Sequence, residues 1–378
     1  MKIGIDGRAS KWYRGTGIGT YTYQLINNLS KIDSINNYIF FMSEYPNNMT
    51  LGKNISLVDI SKGVNNGFWD DINLPNALND KDIDLYHVPQ NGVGLSMNNK
   101  YSSVITLHDV IPYRMPETVS ERYLKIFSES IPNIVNGTNG IITVSNYSKN
   151  DILKTFDFPE EKIFVTPLAS EPIYKPLDKL ICKNIVKKKY SISEDYILYV
   201  GGFSPRKNIP GLIKAFSKLS YKNKHCIKLV IAGTKGQSYD NYQKLTEKLG
   251  ISNKVVFPGF IPTIDLPFLY NAANLFVYPS FYEGFGLPPL EAMSCGIPII
   301  SSNLTSIPEV VGSSGILVDP HNIGEIATAM NNVLLDKELS DKLSASGIRR
   351  ASEFSWRKTA FETISSYNKI ISDVYGSR

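Results

Sequence analysis

Short apolar runs alternate along the chain with stretches whose apolar residues recur at helical spacing. Such runs are typical of buried strands in parallel sheets, whose crossover helices cover both faces. In the first half the predicted strands are Ile3–Asp6, Tyr38–Met42, Leu85–Val88, Val104–Leu107, Gly140–Val144 and Ile163–Val165. In the second half they are Tyr196–Val200, Lys228–Ala232, Val255–Phe257, Leu275–Tyr278, Pro298–Ser301 and Ile316–Leu317. Equal numbers without a sequence repeat predict two doubly wound parallel-sheet units of α/β class.

A proline-rich segment lies between the two halves. The segment TPLASEPIYKPLD, residues 166–178, suits a stiff linker, and 378 residues exceed what a single core usually supports. The predicted domains are therefore 1–170 and 171–357. Apolar residues at helical spacing from Ala360 to Val374 predict a terminal helix, 358–378, that packs back against the first domain.

The charge balance is mildly basic. Forty Lys and Arg against 35 Asp and Glu give a formal charge of +5, which suits anionic partners, but no dense basic stripe indicates nucleic acid. No leader segment or membrane-spanning apolar run is recognisable. Cys182, Cys226 and Cys295 lack zinc-ligand spacing, which fits a reducing compartment, so we expect a cytoplasmic protein.

The stretch FYEGFGLPPLEAMSCGIPII, residues 281–300, predicts a loop, a helix and the start of a strand. Its two adjacent prolines suit the first turn of a helix, and Gly296 follows the helix end. Gly284 and Gly286 then precede a helix N-terminus, where backbone N–H groups and the helix dipole attract anions such as a diphosphate.

Glu283 and Glu291 flank this helix start, and three interpretations are open: an acid and base pair, a metal site, or a grip on a ligand. Glycosidase carboxyl groups lie about 5 to 9.5 Å apart. Eight helical residues rise about 12 Å, which disfavours that pair. The spacing favours contacts with two ends of one extended ligand, each a sugar or ribose diol. The alternative is that both are surface glutamates.

Two further glycine-containing segments are candidate ligand-binding segments. In YVGGFSPRKN a predicted strand ends in Gly201 and Gly202, and Arg206 and Lys207 follow, where two cations would suit a diphosphate. The alternative is a solvated Arg–Lys pair. The segment GTGIGTY, residues 15–21, opens a helix after the first strand, but its glycine spacing differs from the dinucleotide-binding fingerprint.

Two predicted strands have polar residues at one end. In VITLHDVIPY, His108 and Asp109 terminate a predicted strand, and a histidine there is either functional or a structural hydrogen-bonding residue. The Asp-x-Asp of DKDID, Asp80 to Asp84, could hold a metal ion, but it leads directly into a strand as a charged turn does. We therefore expect no metal site there.

Together these segments resemble the retaining nucleotide-sugar glycosyltransferases of the GT-B fold, family four, formerly group one. The most specific elements are EGFGLPPLEAMSCGIPII and TSIPEVVGSSGILVDP, and the glycine loop, the His-Asp pair and PRKN occur in the family's order. The resemblance covers nearly the whole chain. It implies two Rossmann-like domains facing a central cleft, the first binding the acceptor and the second the nucleotide-sugar donor, with no cofactor and no metal.

The resemblance also implies roles for individual residues. Its implied catalytic residues are His108, Glu283, Arg206 and Lys207. Its implied substrate-binding residues are Gly15, Gly17, Asp109, Gly202, Phe260, Ile261, Gly284, Phe285, Gly286, Leu287 and Glu291.

The implied contacts cover the whole donor. Glu283 would bind sugar hydroxyls, Glu291 would bind ribose hydroxyls, and Arg206 with Lys207 would neutralise the diphosphate. The histidine would stabilise developing positive charge on the sugar, and the residues after VVFPGF would contact the base. Many members carry arginine where this chain has Gly202, so more of the diphosphate charge would fall on Arg206 and Lys207.

The segments IDGRAS and HDVIPYRMPE are most like those of bacterial enzymes that build O-antigen, capsule or exopolysaccharide. We therefore expect mannose transfer from GDP-mannose to a saccharide acceptor, lipid-linked at the inner face of the membrane. Alternatives are a UDP-sugar donor, a phosphorylase or synthase of the same architecture that acts on free sugars, or a non-catalytic nucleotide-sugar binding module. Tyr123, Phe127 and Ile131 could support peripheral membrane contact, although their spacing favours core packing.

Overall fold

The computed structural model describes residues 1–12, 14–42, 52–60, 82–95, 101–219, 227–234, 236 and 238–376. The chain divides into two compact units. The first unit is Met1–Leu168 with Ser355–Arg378, and the second is Ala169–Phe354. The first unit is therefore assembled from two separate segments, whereas the second is continuous.

Each unit contains one parallel sheet. The strands of the first sheet are β1 Lys2–Asp6, β2 Asn37–Met42, β3 Ile55–Asp59, β4 Leu85–Val88, β5 Ser102–Thr106, β6 Gly140–Thr143 and β7 Ile163–Val165. Those of the second are β8 Tyr196–Val200, β9 Lys228–Ala232, β10 Val255–Gly259, β11 Leu275–Tyr278, β12 Ile299–Ser302 and β13 Ile316–Val318. Their spatial orders are β3-β2-β1-β4-β5-β6-β7 and β10-β9-β8-β11-β12-β13.

Helices connect the strands. Those of the first unit are α1 Ala9–Trp12, α2 Gly17–Ile32, α3 Ile111–Arg114, α4 Glu121–Gly137 and α5 Asn146–Thr155. The second unit has α6 Lys179–Tyr190, α7 Ile209–Ser217, α8 Tyr239–Lys248, α9 Leu266–Ala272, α10 Leu287–Ser294, α11 Ile307–Val311, α12 Ile323–Leu335 and α13 Lys337–Ala351. The last helix, α14 Trp356–Gly376, returns to the first unit.

The prediction of two doubly wound parallel sheets is confirmed. All twelve predicted strands are present with bounds within two residues. The prediction missed β3, which pairs with β2 alone at the edge of its sheet and exposes Ser56 and Leu57. An edge strand that faces solvent does not need the continuous apolar run by which buried strands are recognised.

The strand orders define where ligands bind. In each unit the first strand lies beside the fourth, β1 beside β4 and β8 beside β11, and the strand order reverses there. Open parallel sheets bind ligands outside the carboxyl ends of such neighbouring strands. We therefore expect a ligand-binding site in the loops that follow these strands.

The terminal helix α14 packs against α2, β5 and β6. Ile370 approaches the sheet so closely that a Cβ on Gly140 would lie 2.5 Å from its Cδ1. Near the start of the helix, the Thr359 hydroxyl donates to the Pro167 carbonyl at 2.6 Å. The chain thus returns beside the point at which it left the first unit.

The apolar face of α4 is part of the core of the first unit. Phe127 and Ile131 are fully buried, and Tyr123 packs beside them. The core-packing interpretation of these residues is confirmed, and the membrane-contact interpretation of Phe127 and Ile131 is wrong. In the described part of the chain, no helix is both long and apolar enough to cross a membrane.

Candidate active site

Two loops meet at the carboxyl edge of the second sheet. β8 pairs with β11, with Ile197 opposite Leu275. β8 leads into Gly201 and Gly202, and β11 leads into the loop that contains Glu283. Because β8 and β11 are neighbours in space but not in sequence, the sheet brings together segments about 80 residues apart.

A short turn presents the two cations. Pro205–Lys207 forms a single 3-10 turn, and Asn208, with φ of 54°, ends it and caps α7 by accepting from Gly211 N at 3.2 Å. The side chains of Arg206 and Lys207 are only 19% and 10% exposed. The interpretation of a solvated Arg–Lys pair is therefore wrong.

Both cations pair with Glu283. Arg206 Nη1 donates to Glu283 Oε2 at 2.9 Å and to the Tyr282 carbonyl at 2.8 Å. Lys207 Nζ donates to Glu283 Oε1 at 2.6 Å. The same oxygen accepts from the hydroxyls of Tyr278 at 2.9 Å and Ser280 at 2.6 Å. The interpretation of Glu283 as a surface glutamate is therefore wrong.

The charge state of Glu283 follows from these contacts. Burial alone would raise its pKa, but the charges of Arg206 and Lys207 and the hydrogen bonds of Lys207 and Ser280 outweigh burial and lower it to about 2. Glu283 is therefore ionised throughout the physiological range, and each cation carries a fixed anionic partner.

Glu283 leads directly into the start of α10. Its N–H donates to Thr305 Oγ1 at 3.1 Å, and the Ser306 hydroxyl donates to the carbonyls of Glu283 and Phe285 at 2.8 and 2.7 Å. Gly286 precedes the helix with φ of 126°, and a Cβ there would lie 2.8 Å from Ile307 Cδ1. Only glycine fits this position without strain.

The donors at this end of α10 come from a short stretch. The helix begins at Leu287, and the prolines that follow it carry no N–H. Backbone donors for an anion therefore come from the residues that precede them, Gly284, Phe285, Gly286 and Leu287. The predicted helix, its proline start and its end before Gly296, where φ is 75°, are confirmed.

Glu291 lies in the second turn of α10 among tyrosines. The Tyr270 hydroxyl donates to Glu291 Oε2 at 2.9 Å. Burial raises the pKa of Glu291 to about 8, and the charge of Glu171 adds to the rise while hydrogen bonds from Tyr270 and Tyr174 oppose it. Glu291 and Glu283 thus have different partners and opposite pKa shifts.

The two residues predicted to contact the base differ in exposure. Phe260 follows β10 directly and is 65% exposed, whereas Ile261 is buried at 4%. Gly202 in the β8 loop is exposed, and a Cβ built on it meets no atom within 4 Å. An exposed aromatic ring at the carboxyl edge of this sheet offers a stacking face.

The glycine loop of the first unit opens α2. Thr16 is the N-cap, and its hydroxyl oxygen accepts from Gly19 N at 3.2 Å. Gly15 has φ of 92°, and Gly17 is the first residue of the helix. The predicted position of this loop, between the first strand and its helix, is confirmed, with the short helix α1 placed before it.

His108 lies just past β5, not within it, because the strand ends at Thr106. Its Nε2 bonds the Pro89 carbonyl at 2.9 Å, so that nitrogen carries the hydrogen. Burial lowers its pKa to about 4. Its ring also meets Tyr21 edge-on at 4.9 Å. His108 is therefore a neutral imidazole in a fixed orientation, which fits both interpretations raised by the sequence.

The backbone around His108 is held as firmly. The His108 N–H donates to Asn91 Oδ1 at 2.9 Å, and its carbonyl accepts from the Ser148 hydroxyl at 3.0 Å. Asp109 Oδ1 accepts from Ile111 N at 3.1 Å at the start of α3. The carboxyl end of β5 thus presents a rigid polar segment.

A buried ion pair at the switch point of the first sheet was not predicted. Arg8 Nη2 lies 2.6 Å from Asp6 Oδ2, and the two side chains are 2% and 0% exposed. Gln90, after β4, donates from Nε2 to the same carboxylate oxygen at 2.5 Å. Asp6 ends the predicted strand and Arg8 follows two positions later, which was a usable signal, because the ligand edges of parallel sheets begin there.

Tyr278 was not among the predicted site residues, although it ends the predicted strand Leu275–Tyr278. Its hydroxyl contacts Lys207 Nζ at 2.5 Å as well as Glu283. Tyr278 is the last residue of β11, and a tyrosine at the carboxyl end of a parallel strand can direct its hydroxyl to the ligand edge. That position is the signal that could have identified it.

Acidic and sulfur ligands do not cluster in the described ranges. Among those residues no group of three or more His, Cys, Asp or Glu side chains is placed to hold a metal ion. Asp80 of the Asp-x-Asp motif and Cys226 lie outside the described residues, while Asp84 Oδ2 accepts from Lys2 N at 2.8 Å. Cys182 and Cys295 are buried free thiols.

Two family models match the chain in sequence. The model described as "Glycosyltransferase Family 4" matches residues 15–169, and the model described as "Glycosyl transferases group 1" matches residues 183–350. The first match lies in the first unit except for its last residue, Ala169, and the second lies within the second unit.

Two relatives are mannosyltransferases by name. An "O-antigen chain mannosyltransferase B" of Escherichia coli is 35% identical over 291 residues, which are 77% of this chain and 76% of that protein. A "Serotype-specific mannosyltransferase WbdA" of the same species is 31% identical over 282 residues, 72% of this chain but only 34% of that longer protein.

The fold recurs in solved structures. A sucrose-phosphate synthase from Thermosynechococcus elongatus matches with a TM-score of 0.76 and 20% identity, over 99% of this chain and 100% of that one. The predicted GT-B fold is thereby confirmed, as is the predicted family. On its sequence relatives, family models and fold, this chain belongs to the group 1, or family 4, glycosyltransferases and is a glycosyltransferase.

Proposed function

We propose that this chain transfers mannose from GDP-mannose to a saccharide acceptor in the synthesis of a bacterial surface polysaccharide such as O-antigen, with retention of the anomeric configuration. The names of the two Escherichia coli relatives support the sugar and the polysaccharide. In this proposal the second unit binds the donor and the first unit, with α14, binds the acceptor.

The observation that carries the proposal is the ion-paired cluster of Arg206, Lys207 and Glu283 beside the start of α10. Breaking the bond between the sugar and a nucleoside diphosphate leaves a diphosphate anion. Two fixed cations and the N-terminal end of a helix stabilise that charge where it develops. Because these groups supply the positive charge, we propose that the reaction needs no metal ion and no cofactor.

The remaining donor contacts follow from position. Gly284 to Leu287 supply backbone donors to the sugar and diphosphate, and Glu291 binds the ribose hydroxyls. Phe260 and Ile261 lie beside the base. Glu283 faces the donor sugar from the loop, in line with the resemblance.

The charge state of Glu283 supports the proposed stereochemistry. A carboxylate with a pKa of about 2, held by two cations, is a weak nucleophile. We therefore propose that the acceptor hydroxyl attacks on the same face from which the diphosphate leaves. The new C–O bond forms at the anomeric carbon, the bond to the phosphate oxygen breaks, and the hydroxyl proton passes to that phosphate oxygen.

The first unit completes the reaction in this proposal. The fixed imidazole and carbonyl of His108 stabilise developing positive charge on the sugar, with Asp109 beside it. Gly15 and Gly17 allow the loop before α2 to approach the diphosphate closely. The acceptor is a lipid-linked oligosaccharide at the cytoplasmic face of the inner membrane, where the protein contacts lipid peripherally.

The proposal is tested by supplying the purified chain with GDP-mannose, UDP-glucose, UDP-galactose or a UDP-N-acetylhexosamine, with and without a mannose-terminated oligosaccharide. Nucleoside diphosphate should appear only when GDP-mannose and acceptor are both present, and NMR of the product should show an α linkage. Preference for a UDP-sugar would overturn the donor. Binding without turnover of any donor would indicate a nucleotide-sugar binding module instead.

A further inference from the structure

The hydroxyl of Tyr278 lies inside the ion-paired cluster. Tyr278 is fully buried at the end of β11, and its hydroxyl accepts from Lys207 Nζ at 2.5 Å while donating to Glu283 Oε1 at 2.9 Å. Its ring stacks on Tyr199 and Phe276 at interplanar angles of 15° each. A ring held on both of these neighbours fixes the position of its hydroxyl.

Protein donors already occupy the carboxylate of Glu283. Oε1 accepts from Lys207, Tyr278 and Ser280, and Oε2 accepts from Arg206. These contacts place the two cations, and they also fix the carboxylate that faces the donor sugar in the proposed function.

The stacked partner of Tyr278 holds the other loop. The Tyr199 hydroxyl donates to the Gly202 carbonyl at 3.0 Å. A Cβ on Gly201, where φ is 158°, would lie 2.8 Å from that hydroxyl. The pair of stacked tyrosines thus contacts the glycine turn after β8 through one hydroxyl and the Lys207–Glu283 pair through the other.

We propose that Tyr278 is a positioning residue for diphosphate recognition, which acts through Lys207 and Glu283 without contacting substrate itself. The inference rests on the proposed function, because it assigns Lys207 and Arg206 to the diphosphate. The hydroxyl bridges a cation and its anionic partner, so the ammonium group keeps one location when a nucleoside diphosphate binds.

A purely structural role for Tyr278 predicts a different result. If Tyr278 only fills the core, loss of its hydroxyl should change stability. The affinities for all ligands of the unit should then fall equally or not at all. If Tyr278 positions Lys207, loss of its hydroxyl should lower the affinity for diphosphates more than that for monophosphates, because the second phosphate brings the additional charge that the cations neutralise.

The test is calorimetric titration of wild type and Tyr278→Phe with GDP, UDP and the matching monophosphates. Loss of a hydrogen bond to a charged group predicts that diphosphate affinity falls about tenfold. Monophosphate affinity should change by less than about twofold. Tyr196→Phe is the matched control, because it removes another buried hydroxyl of the same sheet, one that donates to the Leu269 carbonyl at 2.7 Å.

A second variant covers the case in which Tyr278→Phe does not fold. Glu283→Asp keeps the charge but withdraws the carboxylate by one methylene from Lys207 and Tyr278. Diphosphate affinity should again fall about tenfold, because the probe carries no sugar and only the cations report the change. If only the charge of Glu283 mattered, and not its position, Glu283→Asp would bind the diphosphate as wild type does.

The outcomes separate the inference from the proposed function. If wild type binds and turns over its donor while Tyr278→Phe, or Glu283→Asp where Tyr278→Phe does not fold, binds the diphosphate as wild type does, the inference is overturned and the function stands. Equal losses for mono- and diphosphates, or an equal loss in Tyr196→Phe, also overturn it. If wild type binds no nucleoside diphosphate, both are overturned.

Discussion

The Nδ1 atom of His87 lies 2.6 Å from the hydroxyl of Tyr367, and this contact joins β4 to α14 across 280 positions of sequence. On the other side of the ring, Nε2 lies 2.7 Å from Thr106 Oγ1, which is 2.9 Å from the Tyr21 hydroxyl. All four side chains are fully buried. A chain of satisfied polar groups therefore ties the terminal helix to the first sheet.

This chain of contacts predicts acid sensitivity. Burial, with a smaller contribution from the charge of His108, lowers the pKa of His87 from 6.5 to about 3. Below pH 6.5, His87 binds a proton in the unfolded chain but not in the folded protein. The folded state therefore loses stability as pH falls from 6.5 towards 3. The loss is about 1.4 kcal/mol per pH unit for such a group.

The measurement is urea unfolding between pH 7 and 4.5. His87→Gln should give a shallower decline of the unfolding free energy than wild type, because it removes one titrating group. His321→Gln, at an exposed position, should follow the wild-type slope. Parallel slopes for wild type and His87→Gln would show that His87 does not titrate as expected.

Lys207→Ala should abolish most transfer activity. The substitution removes one of the two cations paired with Glu283, and loss of one group that stabilises developing charge typically costs about 10²- to 10³-fold in rate. Lys214→Ala, at an exposed position of α7, is the matched control and should retain wild-type turnover. Steady-state release of nucleoside diphosphate measures both, and a kcat within about threefold of wild type for Lys207→Ala would contradict the assigned role.

Glu291→Gln should stabilise the fold near neutral pH. The folded protein holds the Glu291 proton up to about pH 8, whereas the ordinary value is 4.5, so this carboxyl destabilises the fold progressively as pH rises between those values. An amide resembles the protonated acid and does not ionise. The unfolding temperature of Glu291→Gln should therefore rise relative to wild type between pH 6 and 8. Glu338→Gln, at an exposed position of α13, should show no such relative rise.

Gly286→Ala should destabilise the protein, whereas Gly202→Ala should leave its stability unchanged. An alanine at position 286 would have to keep φ of 126°, and its Cβ would lie 2.8 Å from Ile307 Cδ1. We therefore expect the free energy of unfolding to fall by about 1 to 3 kcal/mol. At Gly202 a Cβ meets nothing within 4 Å, so we expect an unfolding temperature within about one degree of wild type. Similar unfolding temperatures for the two variants would contradict this account of the loop before α10.

The sequence predicted most of the fold because buried parallel strands are continuous apolar runs. It could not predict β3, whose exposed edge position places no demand on its side chains. It identified Glu283 and Lys207 as separate candidates. Their contact depends on β11 lying beside β8, which becomes known only when the strand order is known.

Contacts between residues that lie far apart in sequence could not be predicted either. Tyr270 and Glu291 are 21 positions apart on different helices, and their hydrogen bond depends on how α9 and α10 are placed against the sheet. The opposite pKa shifts of Glu283 and Glu291 follow from such partners, not from the residues themselves. Sequence therefore indicates which residues could act, and packing determines their charge states.

The hydrogen bond from Thr359 to the Pro167 carbonyl has a consequence for protein engineering. The chain leaves the first unit after Leu168 and re-enters it at Ser355, and this contact shows that exit and re-entry are neighbours. The second unit is therefore an insertion with adjacent ends. It could be excised as one piece, and a few residues of Gly-Ser would suffice to close the remaining polypeptide.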